Sequence, residues 1–373
     1  MLFTDLNLSL SILKAIDKQN YIKPTPIQEK AIPPLLSGKD LLGCAQTGTG
    51  KTAAFAIPIL QRLLESNIDQ DKQSKIRALV LAPTRELAIQ IGESFEAYGE
   101  YTPLEIGIIF GGVTPKRHIK VLKREPNILV ATPGRLLDFV NQGYVDLSQI
   151  EIFVLDEADR MLDLGMITDV KTILSKLPEK RQNMFFSATI PKEVTKLINT
   201  ILSNPVTIKV EHNKADDAEI IQQVYFVEPP DKISLLAELL QDKSYESVLV
   251  FTRTKGKADR VSKALNKRNI VSKAIHGDKN QSERVKALGR FKNKEMRVLV
   301  ATDIAARGID IDKLTHVINL DIPNVPETYV HRIGRTGRAS TEGTAISFCS
   351  QEEKEFLTGI EKLIGKSINI MEI

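Results

Sequence analysis

The sequence predicts an α/β protein of two tandem units, each a mostly parallel sheet flanked by helices. Three observations lead there. Short apolar runs alternate with stretches of helical periodicity up to about Lys209, the pattern breaks over a polar, aperiodic segment, and it starts again at Ile220. The chain has 373 residues, more than one hydrophobic core usually serves. Strands that alternate with helices form right-handed βαβ crossovers and hence parallel sheets with covered faces. The expected division is 1–209 for the first unit, 210–218 for a linker and 219–373 for the second. Fully extended, the polar run 211–218 spans at most about 29 Å, so the units can hinge without wandering apart.

Composition narrows the class. A hydrophobic fraction of 42% and a charged fraction of 26% describe a soluble globular chain. No apolar run approaches the roughly 20 residues that span a bilayer. The start, Met1-Leu2-Phe3-Thr4-Asp5, lacks the basic and apolar regions of a secretory signal, so the expected location is cytoplasmic, with no membrane partner. Cys44 and Cys349 are far apart, and His118, His212, His276, His316 and His331 are scattered, which argues against a disulfide framework or a zinc site. A net charge of +4 suits nucleic acid only if the basic surface is local. No heptad or extended apolar face argues for a dimer, so a monomeric core is expected.

Residues 1–37 read as helical pieces interrupted by Lys23-Pro24-Thr25-Pro26-Ile27-Gln28, with a short helix from Glu29 to Leu36. The prolines hold the backbone extended, and the Gln28 amide, which both donates and accepts, suits an adenine edge. Leu41 and Leu42 end a buried strand, and Ala53 to Leu64 has helical spacing. Between them stands Ala45-Gln46-Thr47-Gly48-Thr49-Gly50-Lys51-Thr52. Such a turn converges backbone amides and a helix N-terminus on one concavity that a phosphate fills. Gly48 and Gly50 allow the close approach, Lys51 can reach the β- and γ-phosphates, and the Thr52 hydroxyl can hold Mg²⁺. The usual pattern has Gly where this chain has Ala45.

Further strands are expected at Ile76–Ala82, Ile106–Phe110 and Asn127–Ala131, followed by Pro83-Thr84-Arg85, Gly111-Gly112 and Thr132-Pro133-Gly134-Arg135. In an open parallel sheet, ligands bind along this carboxyl edge. The run Ile152-Phe153-Val154-Leu155 then delivers Asp156-Glu157-Ala158-Asp159, which places Asp156 to orient a metal shell and Glu157 to orient water. Met184-Phe185-Phe186 ends in Ser187-Ala188-Thr189.

In the second half, strands are expected at Gln223–Val227, Ser247–Phe251, Val271–Ile275, Arg297–Ala301, His316–Asn319 and Thr344–Ser347. Their ends carry Thr252-Arg253-Thr254, His276-Gly277 and Thr302-Asp303. This half has no phosphate turn of its own, so it is expected to complete the site of the first. The completing groups are Arg335 and Arg338 in His331-Arg332-Ile333-Gly334-Arg335-Thr336-Gly337-Arg338, three apart on one face of a helix or turn. Planar guanidinium groups suit the charge on a transferring phosphoryl group.

With these motifs in this order, from about Phe3 to about Ser347, the chain resembles the DEAD-box ATP-dependent RNA helicases, and Asp156-Glu157-Ala158-Asp159 is the tetrad that gives the family its name. The resemblance implies two tandem RecA-like domains that use ATP and Mg²⁺. In the adenine site, Tyr21 would stack on the base with support from Phe3, while the Lys23 backbone and Gln28 read its edge. Gln46, Thr47, Gly48, Thr49, Gly50, Lys51 and Thr52 would hold the triphosphate, with Thr52 and Asp156 on the metal. Asp310 would approach the ribose, and Arg335 and Arg338 would join Lys51, Asp156 and Glu157 in catalysis. Ser187, Thr189, Gln281, Arg284 and His331 would couple the domains.

RNA would run over Pro83, Thr84, Arg85, Gly112, Thr132, Gly134 and Arg135, and over Thr252, Arg253, Gly277, Thr302, Asp303 and Arg307. In the family these contacts go mainly to sugar and phosphate, so binding should be weakly sequence-selective and salt-sensitive. Asn20 replaces a common Gly, and Asn tolerates left-handed geometry. Asn127–Asp138 and Val154–Gly165 look most like the bacterial RhlE-type subgroup, whose members often continue into a basic tail; this sequence ends at Ile373 without one. The expected function is RNA-stimulated ATP hydrolysis with local unwinding of short duplexes or remodelling of RNA–protein complexes, and ribonucleoprotein or RNA-decay partners would fit it. Two other readings share the motifs: an ATP-gated RNA clamp or assembly platform, and a DNA translocase on the same fold.

Overall fold

A computed structural model describes residues 1–45, 48–66, 75–210, 220–306, 314–337 and 343–372. Its contacts divide the chain into two compact units, Met1–His212 and Asn213–Ile373. Almost the whole expected linker lies outside the described residues, only Val210 being inside them.

The first unit holds strands β1 (Leu41–Cys44), β2 (Ala78–Leu81), β3 (Ile106–Ile109), β4 (Ile128–Ala131), β5 (Ile152–Leu155), β6 (Gln182–Ser187) and β7 (Val206–Lys209). The second holds β8 (Ile220–Phe226), β9 (Val248–Phe251), β10 (Ser272–Ile275), β11 (Val298–Ala301), β12 (His316–Asn319), β13 (Gly343–Cys349) and β14 (Asn369–Met371). Each forms a seven-stranded sheet, ordered β3-β4-β2-β5-β6-β1-β7 and β10-β11-β9-β12-β13-β8-β14. All the named strand pairs are parallel. These are the expected RecA-like α/β units.

The two orders are the same once β1–β7 are matched to β8–β14, and the registers agree as well. Leu81 pairs with Ala131 and Leu155, as Phe251 pairs with Ala301 and Asn319. Cys44 pairs with Ser187, as Phe226 pairs with Cys349. Position by position, the second sheet therefore repeats the first.

Both faces of the first sheet are covered. In β2, Ala78 and Val80 enter a core with Phe55, Phe95 and Ile12, while Leu79 and Leu81 enter another with Phe139, Leu136 and Ile173. In β9, Val248 and Val250 face Val261 and Leu265, while Leu249 and Phe251 face Ala287 and Phe291. Double burial is why these strands are unbroken apolar runs.

Three details differ from expectation. The helix expected from Glu29 begins at Pro26, because proline fits a first helical turn and Thr25 supplies an extended N-cap. The helix after the phosphate turn begins at Lys51, before the apolar spacing starts at Ala53. The edge strands β7 and β14 were not anticipated; their side chains are largely half-buried or exposed and carry no strong apolar pattern. Asn20, in contrast, adopts the left-handed backbone anticipated for it, with φ 58°.

Candidate active site

The carboxyl edge of the first sheet divides by strand order. The tips of β5, β6 and β1 carry the residues expected to handle nucleotide, and those of β3, β4 and β2 the residues expected to handle RNA.

In the nucleotide half, Gly48 and Gly50 have φ of 84° and 93°, and Gly50 caps helix Lys51–Glu65. A Cβ at Gly50 would lie 2.4 Å from Gln28 Nε2 and 2.9 Å from Thr25 Oγ1, so the approach of helix Pro26–Leu36 also requires glycine there. Gln28 Nε2 donates to the Gly50 carbonyl at 3.1 Å, and Gln28 Oε1 accepts from the Thr25 amide at 2.9 Å. Its amide is thus used to tie the turn to the helix. Lys51 is buried and its ammonium donates to the Ala45 carbonyl at 2.6 Å. Thr49 and Thr52 are half-buried beside it, and Gln46 and Thr47 lie outside the described residues.

Asp156 is 2% exposed at the tip of β5, and its Oδ1 accepts from the Glu157 amide at 2.9 Å. Burial pushes its pKa up to about 7; the Lys51 charge pulls it down and the Glu157 charge adds to the rise. Glu157 has φ 50°, a left-handed conformation unusual for its type, and its Oε2 accepts from Arg160 at 2.6 Å. Asp159 Oδ2 accepts from the Thr189 amide at 2.8 Å and hydroxyl at 2.9 Å. Its own amide donates to Ser187 Oγ at 3.2 Å, and that hydroxyl donates to the Thr189 carbonyl at 2.7 Å. The acidic tetrad and Ser187-Ala188-Thr189 are therefore one hydrogen-bonded assembly.

On the adenine side, Tyr21 is 42% exposed, with its hydroxyl 3.4 Å from that of Tyr98. Phe3 is buried in the core and Lys23 is exposed.

In the other half of the edge, Pro83 is buried and Thr84 caps helix Arg85–Tyr98 by accepting from the Leu87 amide at 3.3 Å. Arg85 packs on Gly112, where φ is 77° and a Cβ would lie 1.8 Å from its guanidinium. Thr132 Oγ1 accepts from the Gly111 amide at 3.3 Å, and exposed Gly134 follows in helix Pro133–Asn141. Arg135 donates to the Val113 carbonyl at 3.1 Å and lies 3.3 Å from His118 Nδ1. Burial, then the Arg135 and Arg117 charges, hold the His118 pKa down at about 4.

The second unit places its expected RNA residues on the matching tips. Thr302 follows β11 as Thr132 follows β4, and Gly277 stands two residues past β10 as Gly111 does past β3. Thr252 is buried and donates to the Thr254 carbonyl at 3.2 Å. Asp303 is clamped by Arg332 at 2.6 and 2.8 Å, and Arg332 also donates to Asn319 Oδ1 at 3.0 Å and the Asp321 carbonyl at 2.8 Å. Arg284 is buried on helix Gln281–Lys292, and His331 is exposed on helix Pro326–Ile333. That helix stops before Arg335, which is buried in the following turn next to the Thr336 bridge to Leu314. Of the helix-or-turn alternatives, the turn holds for Arg335. Arg307, Asp310 and Arg338 lie outside the described residues.

Sequence reasoning missed Arg160, Arg332 and Asp321, which hold Glu157, Asp303 and the Arg253 amide. It named Thr254 at a strand end but gave it no role; Thr254 caps helix Lys255–Lys267 as Thr84 caps its own helix at the matching position. Superposing the two halves of the sequence strand by strand would have exposed that role.

Fold and site define the phosphate-loop class of α/β proteins, with a second sheet of the same topology. Comparison with known proteins is specific. The DEAD/DEAH box helicase profile matches residues 25–197, and the helicase conserved C-terminal domain profile matches residues 231–340. The ATP-dependent RNA helicase CshA of Limosilactobacillus reuteri is 44% identical over 97% of this chain and 72% of its own length. The DEAD-box ATP-dependent RNA helicase CshA of Bacillus subtilis is 43% identical over 99% of this chain and 74% of its own.

Among solved structures, Saccharomyces cerevisiae Dbp5 bound to RNA and ADP BeF3 is similar with a TM-score of 0.86 and 32% identity, covering 99% of this chain and 95% of that one. The DEAD-box helicase Mss116 bound to ssRNA and UDP-BeF gives a TM-score of 0.87 and 30% identity, covering 100% of this chain and 79% of that one. The chain belongs to the DEAD-box RNA helicase family.

Proposed function

We propose that this chain is an ATP-dependent RNA helicase, hydrolysing ATP under RNA stimulation and opening short duplexes or remodelling RNA–protein complexes. The observation that carries the reading is the division of one sheet edge. A phosphate turn and a buried acid pair stand on β1 and β5, and the residues expected to meet the RNA backbone stand at the ends of β2, β3 and β4. Lys51 would neutralise the β- and γ-phosphates, and Glu157 would orient the attacking water once it parts from Arg160.

Thr52 and Asp156 fit Mg²⁺. They offer hard oxygen donors, and Asp156 is a buried carboxyl whose ionised form lacks enough neighbouring positive charge. Among the described residues no group of three or more His, Cys, Asp or Glu could hold a metal, so the remaining ligands would be water and phosphate oxygens. Bound there, magnesium would offset charge on the phosphates.

Arg335 and Arg338 would complete the site when ATP and RNA draw the two units together. Arg338→Ala should lower RNA-stimulated turnover roughly 10³-fold or more while leaving nucleotide binding within about threefold. The check is steady-state ATPase beside fluorescent-nucleotide titration, with strand displacement of a short RNA duplex as the second assay and Glu157→Gln as its inactive control. Undiminished ATPase in Arg338→Ala would overturn the two-unit site, and stimulation by DNA equal to that by RNA would overturn the substrate class.

The relatives reported above are named CshA. Placement with the RhlE-type subgroup is a proposal supported only by the Asn127–Asp138 and Val154–Gly165 segments. A monomeric core in the cytoplasm with ribonucleoprotein or RNA-decay partners is proposed on the same footing; no helix among the described residues is long and apolar enough to cross a membrane.

A further inference from the structure

The exact repetition of the sheet makes it possible to ask what stands, in the second unit, where the first holds its phosphate turn. β8 matches β1, and the segment after it is Val227-Glu228-Pro229-Pro230-Asp231, without a glycine. The helix that follows opens on Lys232, as the helix after the phosphate turn opens on Lys51. The two lysines end differently. Among the described residues, Lys51 donates to the carbonyl of its own turn, at 2.6 Å. Lys232 is 1% exposed and donates to the Leu320 carbonyl at 3.0 Å, the Phe348 carbonyl at 2.9 Å and the Glu353 carboxylate. Leu320 is the register counterpart of Asp156, and Phe348 that of Phe186. The ammonium thus occupies the second sheet's counterpart of the nucleotide position.

A buried ammonium is stable only when its charge and its hydrogen bonds are met, and Glu353 meets the charge. Glu353 is itself 6% exposed. Its Oε2 also accepts from the Ser350 amide at 3.1 Å and hydroxyl at 3.2 Å. Its Oε1 accepts from Arg253 at 2.9 Å, and the same guanidinium nitrogen donates to the Ile322 carbonyl at 3.1 Å. The Arg253 backbone is fixed separately, its amide donating to Asp321 at 2.8 Å. The Arg253 side chain is 45% exposed and lines a cavity of about 510 Å³ together with Thr254, Lys255, Gly256, Gly277 and Thr302.

We propose that the buried Lys232–Glu353 pair, seated in the second sheet's counterpart of the nucleotide position, is a positioning device that aims Arg253 at an RNA phosphate. A half-exposed arginine samples many rotamers, and one charge-assisted bond to an immobile carboxylate removes most of that freedom before RNA arrives. Lys232 holds the carboxylate in place. The inference rests on the reading of Arg253 as an RNA contact.

The test is a double-mutant cycle of Glu353→Gln and Arg253→Ala in the full chain, reading the RNA concentration for half-maximal ATPase stimulation, kcat at saturating RNA, and KM for ATP. Glu353→Gln should raise the half-saturating RNA concentration about fivefold and leave kcat and the ATP KM within about twofold, since only the aim of Arg253 is lost. On the Arg253→Ala background the same change should have no further effect. If the two effects multiply instead, Glu353 acts through the fold and the positioning role is overturned. If Arg253→Ala alone leaves half-saturation unchanged while RNA still stimulates the wild type, Arg253 is no RNA contact and the inference falls with it. If RNA stimulates neither, it is the proposed function that fails.

Should Glu353→Gln melt far below the wild type, Lys232→Met/Glu353→Leu replaces it. An apolar pair of similar volume avoids an uncompensated buried charge, and it is expected to weaken RNA to the same degree.

Discussion

Asp156 shows how much of this site is electrostatic tension held in reserve. Its folded pKa, raised by burial to about 7 from 3.8, means that the fold keeps a proton which the unfolded chain has already released. Its stabilising contribution is whole below pH 3.8 and is lost as pH rises through 7. Asp156→Asn should therefore stabilise the nucleotide-free protein at pH 8, by about 1 to 3 kcal/mol, and change little at pH 5. Urea unfolding at the two pH values checks it, and equal effects at both would show that Asp156 stays ionised. The same residue was legible in the sequence, because two acids after four apolar residues can hardly be anything but a strand tip. Arg160 and Arg332 were not: a lone arginine carries no sign of which carboxylate it will clamp, and their partners are Glu157, which caps the helix carrying Arg160, and Asp303, which opens helix Asp303–Ala306 beyond β11. Gln28 was legible as a donor and acceptor, but its partners, the Thr25 amide three residues before it and the Gly50 carbonyl 22 residues after it, depend on a helix start at Pro26 that was not expected.

At the scale of elements, the most readable strands were β2, β4, β5, β9 and β11, buried along their whole length, because double burial writes an uninterrupted apolar run. Edge position alone does not hide a strand, for β3 and β10 are edge strands too and were read; β7 and β14, at the other edges, escaped because their side chains are largely half-buried or exposed and write no apolar pattern. The loop after β3 gives the sharper test. Gly112 and Gly143 share nearly the same left-handed backbone, φ 77° and 75°, but a Cβ at Gly112 strikes the Arg85 guanidinium while one at Gly143 meets nothing within 4 Å. Gly112→Ala and Gly143→Ala should each lose about 1 kcal/mol of stability from backbone strain. Only Gly112→Ala should also displace Arg85 and raise the half-saturating RNA concentration, by about three- to tenfold. Thermal melts and RNA titrations of the pair separate strain from contact, and equal RNA binding in the two variants would remove Arg85 and Gly112 from the RNA edge.

For the molecule as a whole, the decisive property is that two sheets of one topology are unequal at one point. Sequence reasoning saw that only one phosphate turn exists, but it could not see what fills the matching position, because a lysine after two prolines looks like any helix start. The structure places Lys232 there, and among the described residues its ammonium donates to the Leu320 and Phe348 carbonyls and the Glu353 carboxylate, so it is already occupied where a phosphate would need it. A chain built this way should bind about one nucleotide, and Lys51→Ala should abolish that binding although Lys232 is intact. Calorimetric titration of the full chain with a non-hydrolysable ATP analogue, in the presence of saturating single-stranded RNA, reads the stoichiometry directly. A second nucleotide per chain, or binding that survives Lys51→Ala, would mean that the second sheet takes phosphate after all; a single site lost with Lys51 would agree with a second unit whose matching position is filled by its own buried lysine.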